Sequence, residues 1–295
     1  MPILQWMQID AFTTQPFSGN PCAVVFGADD LSVDQMQKIA REMNLSETAF
    51  LMQSEVADFR ARYFTPAEEI PLAGHPTIAS MFALVQAGSI ILGDQARTVS
   101  LQLEAGVISV DLVPAEEAPF ITMTQLKPKF LSMHDPETVM PVFGLSVEDA
   151  LLDVPIQTVS TGTPQLMIAV KTLDALHRVR VDGEAYLDLR ARSDFFSPHL
   201  FCVEGITAAG QTFARHFGTP PDTYEDPFTG SATGGMAAYL WHYGLLESPI
   251  FTAEQGHWMN RPGTAAVEVV GPPDDIESVR VGGQAALVIR GEIFI

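Results

Sequence analysis

Two stretches far apart in this 295-residue chain read as copies of each other. One is Glu69-Ile70-Pro71-Leu72-Ala73-Gly74-His75-Pro76-Thr77, running on to Gly88. The other is Glu225-Asp226-Pro227-Phe228-Thr229-Gly230-Ser231-Ala232-Thr233, running on to Gly244. With Gly74 set on Gly230, the pairs Glu69/Glu225, Pro71/Pro227, Thr77/Thr233, Leu84/Leu240 and Gly88/Gly244 coincide at the same offset. A repeat of this kind points to two similar halves. Weaker echoes extend it: Arg62-Tyr63-Phe64-Thr65-Pro66 resembles Arg215-His216-Phe217-Gly218-Thr219-Pro220 with one residue inserted, and 106–112 resembles 263–269.

Each copy is a turn, a glycine, a polar residue and then an apolar helix. Residues 77–85 are apolar nearly all round, and 232–241 are small and apolar nearly all round, so each helix has to be enclosed on every side. The rest of each half reads mostly as strand: 3–10, 23–26, 48–53, 59–64, and a hairpin of 98–103 and 107–113 turning at Glu104-Ala105-Gly106. Residues 114–140, rich in Pro and charge, read as a boundary zone. Further strands are expected at 155–159, 166–170, 200–203, 211–217, 265–270 and 285–289. Ser32-Val33-Asp34-Gln35 fits a capping box, followed by Met36, Ile39, Ala40 and Met43 at helical spacing. The expected fold is therefore α+β, with two similar halves, each a curled, mostly antiparallel sheet around a central buried helix. Two helix N-termini with free N–H groups would face each other across a cleft between them.

Composition removes several function classes. A hydrophobic content of 47% supports real cores. The net charge of −20, from 36 acidic and 16 basic residues, argues against nucleic acid or an anionic membrane as partner. An anionic substrate would have to be held by local donors. Two cysteines, Cys22 and Cys202, and no signal peptide point to the cytoplasm. No apolar run approaches the roughly 18 residues of a membrane span.

Glu47 sits at an apolar-flanked junction in Asn44-Leu45-Ser46-Glu47-Thr48-Ala49-Phe50, where partial desolvation would suit a carboxylate to proton transfer. On its flanking residues alone, it reads more readily as a solvated loop Glu or a capping residue. His75 follows Gly74 at a helix start and could donate to a substrate oxygen or shuttle a proton, or simply satisfy a nearby carbonyl. Ser231 takes the same place in the second copy, where a Ser is usually an N-cap. Gly74 and Gly230 would leave room for a ligand to approach the backbone. Asp226 stands where the first copy has Ile70, and could orient a base or bind an amino group, or be a turn residue before Pro227. The other histidines, at 134, 177, 199, 216, 242 and 257, are scattered. No spacing matches a zinc site, so no metal is expected. No nucleotide fingerprint or nucleophile elbow occurs either.

The segments Asp10-Ala11-Phe12-Thr13, Gly19-Asn20-Pro21, 40–48, Gly74-His75, Glu225-Asp226-Pro227 and Thr229-Gly230-Ser231-Ala232 together resemble the PhzF-like family, whose named member is the phenazine-biosynthesis isomerase. Gln255-Gly256, Arg261-Pro262-Gly263 and Val281-Gly282-Gly283 fit its C-terminal pattern, so the resemblance covers essentially the whole chain. It implies a diaminopimelate-epimerase-like fold, usually a homodimer, with the last strand returning to the first half. The halves would then be 1–122 joined by a strand at 284–295, and 123–283. It also implies cofactor-free and metal-free proton transfer on a cyclic dihydro-hydroxyanthranilate, with Glu47 as the proton carrier and His75, Asp226 and Ser231 assisting. Racemases of this fold carry a cysteine before each repeated glycine. Here those positions hold Ala73 and Thr229, which excludes two-thiol chemistry. Gly234-Gly235 loosens the second helix start, with no functional reason visible in the sequence.

The resulting expectation is a cofactor-independent isomerase acting on a small carboxylated, amino-substituted substrate. Glu47, His75 and Asp226 would be catalytic, and Ser46, Gly74, Gly230 and Ser231 would bind the substrate. The alternatives are an amino-acid racemase or epimerase using Glu47 and His75 as its two bases, and a non-catalytic interaction protein on the same fold.

Overall fold

The structure, a computed structural model, describes residues 3–218 and 224–295. Thr219 and Pro220 of the echoed segment lie outside the described residues. The first half contains strands β1 (Ile3–Ala11), β2 (Asn20–Val25), β3 (Glu47–Met52), β4 (Phe59–Phe64), β5 (Glu69–Ile70), β6 (Arg97–Leu103), β7 (Gly106–Val113) and β8 (Phe120–Thr124), with helices α1 (Val33–Met43) and α2 (Gly74–Gln86). The second contains β9 (Lys129–His134), β10 (Ile156–Ser160), β11 (Pro164–Ala169), β12 (Ser197–Cys202), β13 (Thr212–Phe217), β14 (Glu225–Asp226), β15 (Ile250–Gln255), β16 (Gly263–Val270) and β17 (Ser278–Gly283). Its helices are α3 (Pro136–Val139), α4 (Leu173–Arg178), α5 (Gly183–Ala191) and α6 (Gly230–His242), and β18 (Ala285–Phe294) closes the described chain. None of the described helices is long and apolar enough to cross a membrane.

The two sheets have one topology. β1-β2-β3-β4-β6-β7-β8 is matched by β10-β11-β12-β13-β15-β16-β17. The β2/β3 and β4/β6 pairs are parallel, as are β11/β12 and β13/β15, and the remaining neighbours are antiparallel. β8 pairs with β17 and joins the two sheets. Past that seam the chain crosses over on both sides: β9 pairs with β10, and β18 pairs along β1 from Ile3↔Phe294 to Ala11↔Ala285.

The hairpin of β6 and β7 and the capping box of α1 form where the sequence indicates them. The zone 114–140 is more structured than its composition suggests. Pro128 stands just before β9, and Pro136 occupies the first turn of α3 behind the N-cap Asp135, positions where a missing N–H costs nothing. β17, α4 and α5 were not visible, being short or interrupted by Gly and Arg.

In α2 every residue from Gly74 to Leu84 is buried, and in α6 every residue from Gly230 to Leu240. This is the enclosure their all-round apolar pattern requires. The repeat is also chemical. Arg62 grips Glu69 with two hydrogen bonds of 2.6 Å, and Arg215 grips Glu225 with two of 2.8 Å. Thr77 Oγ1 donates to the Ala73 carbonyl at 2.8 Å, and Thr233 Oγ1 to that of Thr229 at 2.9 Å.

The two helices begin against each other. A Cβ on Gly74 would lie 2.6 Å from the Cα and carbonyl carbon of Gly230, and one on Gly230 would lie 3.1 Å from the Cα of Gly74. The repeated glycines thus let two backbones touch, rather than opening the backbone to a ligand. Gly234 and Gly235 have a similar cause. Side chains there would strike Gln125 and Met167, and Gln125 Nε2 donates to the Gly230 carbonyl at 2.8 Å.

Gly74→Ala should lower stability by about 1–3 kcal/mol, the usual cost of overpacking. Gly93→Ala, which meets nothing within 4 Å, should be nearly neutral. Equal melting temperatures for the two variants would contradict the close contact.

Candidate active site

A cleft with an empty volume of about 590 Å³, solvent-open space included, lies between the halves at the starts of α2 and α6. Its wall includes both helix N-caps, Ala73 and Thr229. α1 is capped at Asn44 in the left-handed conformation, and three residues later β3 starts with Glu47, so Ser46 and Glu47 enter the cleft. His75 is the second residue of α2 and is buried. Its Nε2 stands 3.2 Å from Glu47 Oε2 without the alignment of a hydrogen bond. Asp226 ends β14, its carboxylate buried, and Ser231 at the start of α6 lines the cleft. One candidate atom each from Glu47, His75 and Asp226 falls within 4.8 Å of the others. Gly74 and Gly230 sit behind this cluster, in the helix contact.

Asn20 holds the cluster together. Its Nδ2 is 2.9 Å from His75 Nδ1, 2.8 Å from Asp226 Oδ1 and 2.7 Å from the Phe228 carbonyl. Asp226 Oδ2 accepts from Thr229 Oγ1 at 2.5 Å. Gln255 bridges the same turn, donating to the Asp226 carbonyl at 2.7 Å and accepting from Thr229 N at 3.1 Å. The loop carrying Asn20 is clamped by Arg261, whose guanidinium donates to Asp10 Oδ1 at 2.8 Å and to the carbonyls of Ser18 and Gly19 at 2.9 Å. Gly19 has φ +57°, and a Cβ there would meet the Ala11 carbonyl oxygen, so this turn requires glycine.

Burial pushes the His75 imidazole down to about 4, against the opposing pull of Asp226 and the Pro21 carbonyl. It is therefore neutral at pH 7, able to give or take a proton beside Glu47. Cys22 lies opposite Glu47 in the β2/β3 register, but its thiol is fully buried. Its pKa is driven well up by burial and by the Glu47 charge. Burial likewise raises Cys202 to about 12. Neither thiol is poised as a base.

Sequence reasoning singled out neither the bracing role of Asn20 nor Arg190, Ser197, Gln165 and His216, all four of which line the cleft. Arg190 is the one Lys or Arg among the described residues that line the cleft. Its guanidinium lies 5.1 Å from the Phe196 ring centroid and 4.0 Å from Glu68 Oε1. The helix α5 that carries it has little amphipathic pattern, so nothing in the sequence marked it.

The family of phenazine biosynthesis-like proteins (PhzC-PhzF) matches residues 9–291, and the chain belongs to this family of isomerases. It is 36% identical over 265 residues to the uncharacterized isomerase YfhB of Bacillus subtilis, covering 89% of each chain. It is 33% identical over 293 residues to the trans-2,3-dihydro-3-hydroxyanthranilate isomerase of Pseudomonas chlororaphis, covering 97% of this chain and 98% of that one. Among solved structures, the PhzF-family phenazine biosynthesis protein of Bacillus anthracis superposes over 100% of both chains with a TM-score of 0.88 at 31% identity. A hydroxyproline epimerase from Agrobacterium vitis shares the fold, with a TM-score of 0.68 at 12% identity over 99% of this chain and 92% of that one. The fold is that of the diaminopimelate-epimerase-like proteins, as the sequence resemblance implied.

Glu47, His75 and Asp226 form a donor set of a size that could take a metal ion, a juxtaposition their sequence spacing conceals. Both Asp226 oxygens are already engaged by Asn20 and Thr229, and a metal would have to displace those bonds. Elemental analysis of the purified protein should find no stoichiometric divalent metal. One equivalent per chain, lost in Asp226→Asn, would overturn this.

Asn20→Asp would set a carboxylate against the Asp226 carboxylate and the Phe228 carbonyl. The introduced group's folded pKa would rise above its unfolded value of about 3.9. Its folded state is then favoured while it is protonated, and stability is lost as pH rises through that range. The melting-temperature deficit against the natural protein should be larger at pH 8 than at pH 5, corresponding to about 3–5 kcal/mol when charged. A deficit independent of pH would show that Asn20 does not bridge these acceptors.

Proposed function

We propose that this protein is a cofactor-independent isomerase that relocates a proton on a small carboxylated, amino-substituted ring or chain, with Glu47 as the proton carrier. The carrying observation is the buried Glu47–His75 contact of 3.2 Å just behind the cleft wall that Glu47 lines, braced through Asn20 by Asp226. In this reading Glu47 removes a proton next to a conjugated system and returns it at another carbon. Neutral His75 accepts or donates at Nε2 as charge shifts, and Asp226 fixes Asn20 or meets the substrate amino group. Ser46, Ser231, the N–H groups at the helix starts and Arg190 hold the carboxylate and the developing negative charge. A local cation and local donors are needed because the chain's net charge of −20 repels an anion at long range.

The same contact speaks against racemisation by Glu47 and His75. Two bases that invert a carbon must flank it from opposite faces, and these atoms stand side by side. The relative's substrate, trans-2,3-dihydro-3-hydroxyanthranilate, is the first compound to test. The reading includes the homodimeric assembly implied by the family resemblance and the cytoplasmic setting to which the sparse cysteines point.

Glu47→Gln should lower turnover, or deuterium exchange from solvent into the accepted substrate, by on the order of 10²–10⁴ while leaving the melting curve intact. Glu47→Asp should also be impaired, because withdrawing the carboxylate by one methylene spoils near-attack geometry. A stable Glu47→Gln protein with near-normal exchange would move the proton role to His75 or Asp226. A protein that could not fold would make Glu47 structural.

A further inference from the structure

The repeat assigns Glu47 a counterpart in the second half. In the parallel β2/β3 pair Cys22 faces Glu47, and in the parallel β11/β12 pair Gln165 faces Ser197. Two residues further along, Ala49 pairs with Tyr63 and His199 with His216, and Tyr63 and His216 hold the same place in the repeated Arg-x-Phe segments. Ser197 is therefore the counterpart of Glu47, and Gln165 that of Cys22. A hydrogen-bond match supports the alignment. Asn20, two residues before Cys22, donates to the Phe228 carbonyl, while Thr163, two residues before Gln165, donates to that of Leu72 at 3.0 Å. Leu72 and Phe228 are themselves repeat partners.

Gln165, Ser197 and His216 all line the cleft, and a buried chain of hydrogen bonds runs back from them. Ser197 Oγ donates to Gln165 Oε1 at 2.6 Å, lies 2.9 Å from His216 Nε2, and His216 Nδ1 is 3.3 Å from His199 Nδ1. An amide oxygen only accepts, so the Ser197 proton goes to Gln165 and its oxygen accepts from His216 Nε2–H. His216 Nδ1 is then a lone pair that takes Nδ1–H of His199. The chain ends at His199 Nε2, a buried lone pair without a hydrogen-bond partner among the described residues. Running the chain the other way would strand a buried N–H there, the rarer and costlier defect. Burial holds both rings neutral, His216 near 4 and His199 well below its ordinary value. With its oxygen held by Ser197, the N–H₂ group of the cleft-lining Gln165 meets no partner among the described residues.

We propose that Gln165 anchors the substrate, donating its side-chain N–H to a carboxylate or carbonyl oxygen, and that Ser197, His216 and His199 are positioning residues that fix which way the amide faces. This rests on the cleft being the substrate site of the proposed isomerase. The Glu47 half-site moves the proton and its counterpart holds the ligand.

Two measurements on the full chain test it. Long-range ¹H–¹⁵N spectra of histidine-labelled protein at pH 7 should show His216 as the Nε2–H tautomer and His199 as the Nδ1–H tautomer. The opposite pair reverses the amide and overturns the proposal, whatever becomes of Glu47. In the second, 3-hydroxyanthranilate, an aromatic analogue of the relative's substrate, is titrated into the natural protein, Gln165→Glu and Gly93→Ala. Gln165→Glu should bind on the order of tenfold or more weakly, as expected for losing a hydrogen bond to a charged group. Gly93→Ala, outside the cleft lining, should bind as the natural protein does. Unchanged affinity in Gln165→Glu, with the expected tautomers, sinks the anchor. Failure of the natural protein to bind the probe at all sinks the carboxylated-substrate reading and the anchor with it.

Discussion

Contact between the backbones of Gly74 and Gly230 governs the geometry of everything around it. Because no side chain separates them, α2 and α6 start at the same point in space, and the residue after each glycine lands beside the cleft. Ala73 and Thr229, one step earlier, become its wall. The polar bracing then only has to span short distances. One amide group, that of Asn20, touches His75, Asp226 and the carbonyl of Phe228 within 2.9 Å. A wider separation of the helices would leave these buried acceptors without their donor, a costly state in a low-dielectric interior.

Duplication has left the same scaffold twice and different chemistry on each copy. The Arg–Glu grips and the threonine bonds to the helix starts are retained in both halves, because they hold the turns. The positions at the cleft and just behind its wall have diverged. Glu47, Cys22 and Asn20 on one side correspond to Ser197, Gln165 and Thr163 on the other, and His75 corresponds to Ser231. One side carries an acidic group next to a neutral imidazole. The other offers hydroxyl, amide and imidazole groups for hydrogen bonding, and its one carboxylate there, Asp226, is engaged by Asn20 and Thr229. In a chain with a net charge of −20, the neutral donors and Arg190 of the cleft's second wall offset part of the repulsion of an anionic ligand.

Much of this was legible in the sequence because the repeat is densest where the backbone is most constrained. Gly74 and Gly230 were visible as a pair, and the apolar runs behind them told that both helices are enclosed. The reason for the glycines was not visible, since a residue kept for helix–helix contact looks the same as one kept for a ligand. Glu47 was legible through motif resemblance, and only weakly through its flanking residues. Ser197 and Gln165 were hidden because their counterparts, Glu47 and Cys22, do not resemble them in chemistry or size. Only strand register reveals the equivalence. The metal-sized cluster of Glu47, His75 and Asp226 was hidden for a related reason: its members come from three elements with no characteristic spacing.

The exchange of β9 and β18 across the β8/β17 seam has a consequence for how the molecule is made. Pairing Ile3 with Phe294 gives the first sheet one of the longest sequence separations this chain allows. Contacts of that range are slow to form, since the intervening chain must be ordered or looped before they reward it. During vectorial synthesis the outer edge of β1 stays uncovered until residues 285–294 emerge, a period in which an unpaired strand is open to wrong partners. The interlock also ties the fates of the halves together. Neither sheet keeps its full complement of strands if the other opens, so the protein is built to melt as one unit, and the cleft between its halves is held by the same strands that make folding slow.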